Sequence, residues 1–371
     1  MIGRRCIITN KQISDDNSAA HVIPNALGGR LKPRGIVSSE GNNILNLKVD
    51  LPLINAFQPI MTLLGGSRDR GKNPPVRLED NDGRKYDYSF DAPMTLARPS
   101  LEIEEADGVV NVELNARTEQ EARVLLGKVK KRYPSFDIDA AMNEMVWKSE
   151  YLQNRLSSHL QIGPIVTFPA AFVAASIYSC ALGSGSHPDL RSFVAGFDPD
   201  GDEPPLPPDT FYWYPDLPWY EKPNADVTHV VAFLGESKTQ RALCCIEYFG
   251  VASVGVILPY DGKEDRISGY AVDVVTGTNL SLAVNVKFLR SLAWQATHSI
   301  VDDAILSIFR DRLTYVLQVS SRLGVENEMG RVIDKSLGEP EGRQLTERDM
   351  RKLLDDLTPF LLSRIVKARK T

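Results

Sequence analysis

The sequence predicts an α+β protein: a small N-terminal strand, loop and helix module, then a larger mixed body with helices and an antiparallel sheet. Three observations predict it. Apolar residues recur at helical spacing in several long segments, while residues 227–285 break into five short strand-like runs separated by brief connections. Near the N-terminus an apolar dipeptide, Val22-Ile23, is stopped by Pro24 and by the pair Gly28-Gly29 before a helical pattern begins.

The first module covers residues 1–75. Val22 and Ile23 read as a short strand that leaves His21 at an element end, and a basic loop with Arg30, Lys32 and Arg34 follows. Ile44, Leu45, Leu47, Val49, Leu51, Leu53 and Ile54 then mark a helix, with Asn42 at its start, where a plain N-cap role is the alternative to a functional one. Residues 65–75 read as the exit from the module. Gly66 to Lys72 has the spacing of a phosphate loop, but Asn73-Pro74-Pro75 replaces the Ser or Thr and the helix such a loop needs. A basic surface turn is the reading that remains.

Residues 76–196 read as a mixed strand and helix region. Turn signals at 80–83 and 106–108 divide short strands, the second joining a hairpin of 100–105 with 109–114. A capping box from Thr118 to Glu121 starts a helix that ends in Lys128, Lys130, Lys131 and Arg132. Helices are expected at 138–160, at 169–182, where the segment is apolar nearly all round, and at 189–194. Residues 197–226 form a connection rich in Pro, Asp and aromatic residues, with Phe211, Tyr212, Trp213, Tyr214, Trp219 and Tyr220 expected to pin it onto the body. Residues 227–371 hold the antiparallel sheet (229–233, 242–248, 253–258, 270–275, 280–286) and helices at 288–297, 302–323 and 346–369. His229 is expected to serve packing.

With 43% hydrophobic and 25% charged residues in 371, the composition is that of a soluble globular chain. No uninterrupted apolar run reaches the ~18 residues of a membrane span, and the N-terminus lacks the apolar core of a signal peptide. Cys6, Cys180, Cys244 and Cys245 sit in mostly apolar surroundings and are expected as free thiols, which suits the cytoplasm. The net charge of -5 hides a split. Residues 1–75 carry ten Lys and Arg against five acids, a net of +5, and the remainder carries 33 against 43, a net of -10. A basic module on an acidic body suits contact with phosphate.

The run Ala20-His21-Val22-Ile23-Pro24-Asn25-Ala26-Leu27-Gly28-Gly29, with Asn42-Asn43 and Asp50 downstream, resembles the HNH nuclease superfamily, whose ββα fold surrounds one divalent metal. The likeness is to the branch with Cys-x-x-Cys, Glu-His-Ile-Ile-Pro-x-x-Leu-Gly-Gly and Cys-x-x-Cys-Asn-Asn, and it covers about a fifth of the chain. It implies that His21 is the general base and Asn42 a catalytic and metal-binding amide, with Gly28, Gly29 and Asp50 as structural motif positions. The branch's four zinc cysteines fall on Cys6, Thr9, Ser38 and Gly41, so a structural zinc is not expected. Ala20 stands where the branch carries an acidic metal ligand; Glu40, Asp15 and Asp16 are the carboxylates nearest in sequence, with Glu40 placed to reach round beside Asn42. Asp50, eight residues beyond Asn42 and so about 12 Å along a straight helix, is too far to share an ion with it.

The chemistry fits those residue types. A neutral imidazole activates water near pH 7, a cation such as Mg2+ or Mn2+ stabilises the leaving oxygen, and Arg30, Lys32 and Arg34 hold nucleic acid. The expected function is therefore a metal-dependent endonuclease acting on DNA, by analogy an antiviral defence or restriction effector. The alternative is a degenerate HNH-like module that binds nucleic acid or a partner protein within a larger defence complex. No membrane partner is expected, and self-association is left open.

Overall fold

The computed structural model describes residues 4–13, 19–106, 109–146, 152, 155–214, 219–285, 303–338 and 344–368. Along the chain run helix α1 (Ser39–Leu45), a π-helical turn (Asn46–Asp50) and α2 (Leu51–Leu63). Strands β1 (Val76–Asp80), β2 (Lys85–Ser89), β3 (Ala92–Leu96), β4 (Ser100–Ala106) and β5 (Val109–Asn115) follow, then α3 (Glu119–Arg132), α4 (Ile138–Glu144) and β6 (Leu156–Ser157). Next come α5 (Pro164–Ala181), α6 (Leu190–Gly196), β7 (Thr210–Tyr212), β8 (Thr228–Glu236), β9 (Arg241–Tyr248), β10 (Ala252–Pro259), β11 (Arg266–Asp273) and β12 (Asn279–Leu280). Helices α7 (Asp303–Leu337) and α8 (Glu347–Ala368) close the chain. The fold is mixed α+β, with antiparallel sheets.

These elements form two compact units, one of Met1–Pro74 with Leu160–Leu323 and one of Pro75–His159 with Gly324–Thr371. In the first, six strands pair in the order β12-β11-β8-β9-β10-β7. β8 is buried along nearly its whole length because both faces of the sheet are covered. On one face Val231, Phe233, Cys244, Ile246 and Tyr248 pack with α5 and with Leu53, Phe57 and Ile60 of α2. On the other, Val230, Ala232, Leu243 and Cys245 meet Phe211, Trp213 and Trp219. The aromatic connection thus pins itself to the sheet, and its Phe211 and Tyr212 belong to an added edge strand.

α5 begins at Pro164, which suits the first helical turn, and it keeps Pro169 inside. It is long and apolar enough to cross a membrane, but most of its length is buried against β9 and β10, as a core helix would be. The N-terminal segment is tied into this unit by His229. Its Nε2 donates to the Leu27 carbonyl at 2.7 Å and its Nδ1 accepts from the Phe249 N–H at 3.2 Å, which fixes the neutral tautomer. Phe57 stacks on Phe249 with ring centroids 5.2 Å apart.

In the second unit β3-β2-β1-β6 form a sheet, and β4 and β5 the expected hairpin. Thr118 caps α3 by accepting from the Glu121 N–H, as the capping box predicts. Three expectations change. The helix expected over 138–160 stops at Glu144, and Leu156–Ser157 pairs with β1 instead. The helix expected to end at 323 runs on to Leu337, because Gly324 and Gly330 stay helical rather than capping it. The strand expected at 280–286 is reduced to Asn279–Leu280 and an isolated bridge from Val284 to Tyr220. The helix expected at 288–297 lies outside the described residues.

Candidate functional site

The site is built on a tight turn. Arg5 and Gln12 pair across it, the Cys6 N–H donates to the Lys11 carbonyl, and Asn10 takes the left-handed conformation at φ +58° that an asparagine tolerates. The Cys6 sulfur is buried and accepts from the Ser38 N–H at 3.2 Å and the Thr9 N–H at 3.5 Å. A Cβ at Gly41 would lie 2.8 Å from that sulfur. Cys6, Thr9, Ser38 and Gly41 therefore meet at one point. Burial pushes the Cys6 thiol up, but hydrogen bonds from Ser38 and Thr9 outweigh it and bring the pKa down to about 7.

From this turn the chain passes through an irregular antiparallel pairing, with a bridge from Ala19 to Arg34 and a bond from the Val22 N–H to the Leu31 carbonyl. Val22 and Ile23, expected as a strand, form a buried bend, because the chain turns at once into a short helical turn (Asn25–Leu27). The Gly-Gly pair has a local reason. Gly28 sits at φ +91°, and a Cβ at Gly29 would fall 1.9 Å from the Ile23 carbonyl oxygen, where no side chain fits.

His21 is half-buried, and its Nε2 is shielded from solvent without a protein partner. Burial, then the charges of Lys32 and Arg30, hold its pKa below the ordinary value, so the imidazole is neutral at pH 7. The Arg30 guanidinium bonds Asp69 and, at 2.8 Å, the Ser67 hydroxyl. The Lys32 ammonium lies 3.7 Å from the same carboxylate. The Asp69 N–H in turn donates to the Asn25 side chain at 2.9 Å. Sequence reasoning found Arg30 and Lys32 but missed Asp69, Ser67 and Asn25; the only signal was the loop 65–75, read as a basic turn. Arg34 is exposed.

The remaining expected site residues lie on α1 and on the π-helical turn that follows it. Ser38 is the N-cap of α1, its hydroxyl accepting from the Gly41 N–H, and Asn42 closes the first turn by donating its N–H to the Ser38 carbonyl. Asn42 is thus half-buried inside the helix and does not cap it. The Glu40 carboxylate is exposed and takes the Lys11 ammonium on both oxygens at 2.8 Å. Asp50 ends the π-helical turn, and burial raises its pKa to about 7. Its charge is felt by Tyr248, whose buried hydroxyl has no hydrogen-bond partner. In the same turn Lys48 donates to the Val194 and Ala195 carbonyls at the end of α6.

Among the described residues no group of three or more His, Cys, Asp or Glu side chains could hold a metal ion, and Asp15 and Asp16 lie outside them. Position 20 is a buried alanine. His21 and Asn42 do not by themselves fit a cation held by protein ligands. Comparison with family models, curated proteins and solved structures gives no match. The reading of this site therefore rests on its own geometry.

Proposed function

We propose that the chain is an HNH-type endonuclease acting on DNA, with residues 1–75 as a ββα-like head. The observation that carries the reading is the meeting of Cys6, Thr9, Ser38 and Gly41, the four positions where this branch places its zinc cysteines. A chance likeness of sequence gives no reason for those positions to share one point. The antiparallel pairing of 19–22 with 31–34, followed by α1, is the order a ββα unit takes.

In this reading the neutral His21 is the proton acceptor and its Nε2, shielded from solvent and unpartnered in the free chain, has to open to the attacking water, while Arg30, Lys32 and Arg34 hold the phosphodiester. The resemblance adds a divalent cation, Mg2+ or Mn2+, whose contribution when bound is to stabilise the leaving oxygen. The donors among the described residues do not fit it. That misfit favours a second reading, a module that keeps the head and binds nucleic acid or a partner without cutting. A role in antiviral defence, alone or as a subunit of a larger complex, extends either reading by analogy.

Nicking of supercoiled plasmid with Mg2+ or Mn2+, compared between wild type and His21→Ala, tests the proposal. Cleavage that falls at least a hundredfold in the variant while DNA binding persists supports the nuclease. Binding lost on Lys32→Gln, with no cleavage by any protein under either metal, leaves the second reading.

A further inference from the structure

The loop 65–75 places a carboxylate where the basic residues converge. Asp69 takes the Arg30 guanidinium on one oxygen and faces the Lys32 ammonium with the other. Arg30 is held from the opposite side by the Ser67 hydroxyl, and its tip fills the space a side chain at Gly277 would need. The guanidinium is therefore fixed in place, its side chain 16% exposed, while Asp69 keeps 30% and Lys32 53% of their side-chain surface open to solvent. A fixed guanidinium with a hydroxyl and an ammonium beside it presents donors to any small oxyanion.

We infer that Arg30, Lys32 and Ser67 form an anion site that Asp69 occupies in the free chain and that a nucleic-acid phosphate takes by displacing it. The inference deepens the nucleic-acid reading above and rests on it for the source of the phosphate. Two positive side chains share one carboxylate, so the site keeps a net attraction for a second anion. Displacement needs only a side-chain rotation, since the loop main chain is held by the Asn25 side chain at Asp69 and by the Val274 carbonyl at Ser67. The released carboxylate is flanked in sequence by Arg68 and Arg70 and does not lack for a counter-charge. The contact acts as a filter: weak anions fail to displace Asp69, and a polyanion that also meets Arg34, Arg70 and Lys72 succeeds.

The test uses the full chain, with fluorescence anisotropy on a short duplex across a salt series and thermal midpoints in inorganic phosphate against chloride at equal ionic strength. Asp69→Asn keeps the shape and removes the competing charge. It is expected to bind duplex roughly three- to tenfold tighter, with a salt slope steeper by about one, and to gain more stability from phosphate than wild type. Asn25→Ala, which loosens the loop and leaves the cations in place, should move affinity the same way. Lys32→Gln should move it the opposite way. A gain in phosphate stabilisation with no duplex binding by any variant upholds the anion site and overturns nucleic acid as its source. Unchanged or weaker binding of both anions by Asp69→Asn and Asn25→Ala, with circular dichroism unaltered, overturns the site itself.

Discussion

Asp50 and His229 both neighbour Tyr248. The His229 ring lies 4.5 Å from that of Phe249 and 6.3 Å from that of Tyr248, and Tyr248 feels the Asp50 charge. Burial raises the Asp50 pKa to about 7 and, against the bond to Leu27, lowers that of His229 to about 4. Their linkages oppose each other. The folded chain holds the Asp50 proton more tightly than the unfolded chain, so that stabilisation is present at low pH and is lost as pH rises from about 4 through 7. Folded His229 binds its proton less tightly, so its contribution is present above pH 6.5 and is lost as pH falls towards 4. The shifts correspond to roughly 3 kcal/mol for His229 at its limit and roughly 4 kcal/mol for Asp50, the latter reduced because Asp50 keeps some contact with solvent. Wild-type stability should be nearly flat between pH 4 and 6.5 and fall above it. Asp50→Asn should remove the fall, gain about 2 kcal/mol at pH 8, and expose a loss on acidification below pH 6.5. Urea denaturation from pH 4 to 8 checks this, and parallel curves for the two proteins would rule it out.

At the scale of the element, the turn around Cys6 ties the N-terminal segment to α1. Ser38 serves two neighbours, capping α1 with its hydroxyl and donating its N–H to the Cys6 sulfur, so the first turn of the helix is anchored to the hairpin by one residue. Gly41 brings the helix close enough for that bond, since any side chain would strike the sulfur. If the arrangement is a zinc knuckle whose metal has been replaced by hydrogen bonds, thiols at the same positions should restore it. The variant Thr9→Cys, Ser38→Cys, Gly41→Cys should push α1 slightly outward and bind one zinc per chain with tetrathiolate geometry. Cobalt substitution, read by its thiolate charge-transfer absorption, and a midpoint that rises on adding metal are the checks. No metal uptake by the folded variant would mean that the four positions meet by packing alone. Their meeting has no local signal, but the correspondence of these four positions to the branch's cysteine positions could be read from the sequence, because short motif blocks are a local pattern. Asp69 could not. Its partner Arg30 is 39 residues away, and nothing in a Gly- and Arg-rich loop says which way its carboxylate turns.

For the molecule as a whole, local pattern gave the strands from β8 to β11 and the start of α3 at its capping box, because alternation and capping are short-range signals. Which parts share a core is a long-range property. The bond from His229 to Leu27 spans 202 residues, and Phe57 of α2 packs on Phe249, beyond the end of β9. Residues 1–75 read as a separable module because the resemblance ends there, yet their largest apolar side chains, Leu53, Phe57 and Ile60, are fully buried in the core they share with α5 and the sheet. Cut free, that surface would face water at a cost of roughly 2 kcal/mol for each such side chain, more than a head of this size can recover from its own small core. A fragment of residues 1–75 should therefore lack a cooperative thermal transition and should aggregate, whereas the full chain melts cooperatively. Circular dichroism melts and size-exclusion chromatography of the two proteins decide the matter. A monomeric, cooperatively folding fragment would mean that the head is an independent domain and that the bonds from His229 and Phe57 are incidental to its stability.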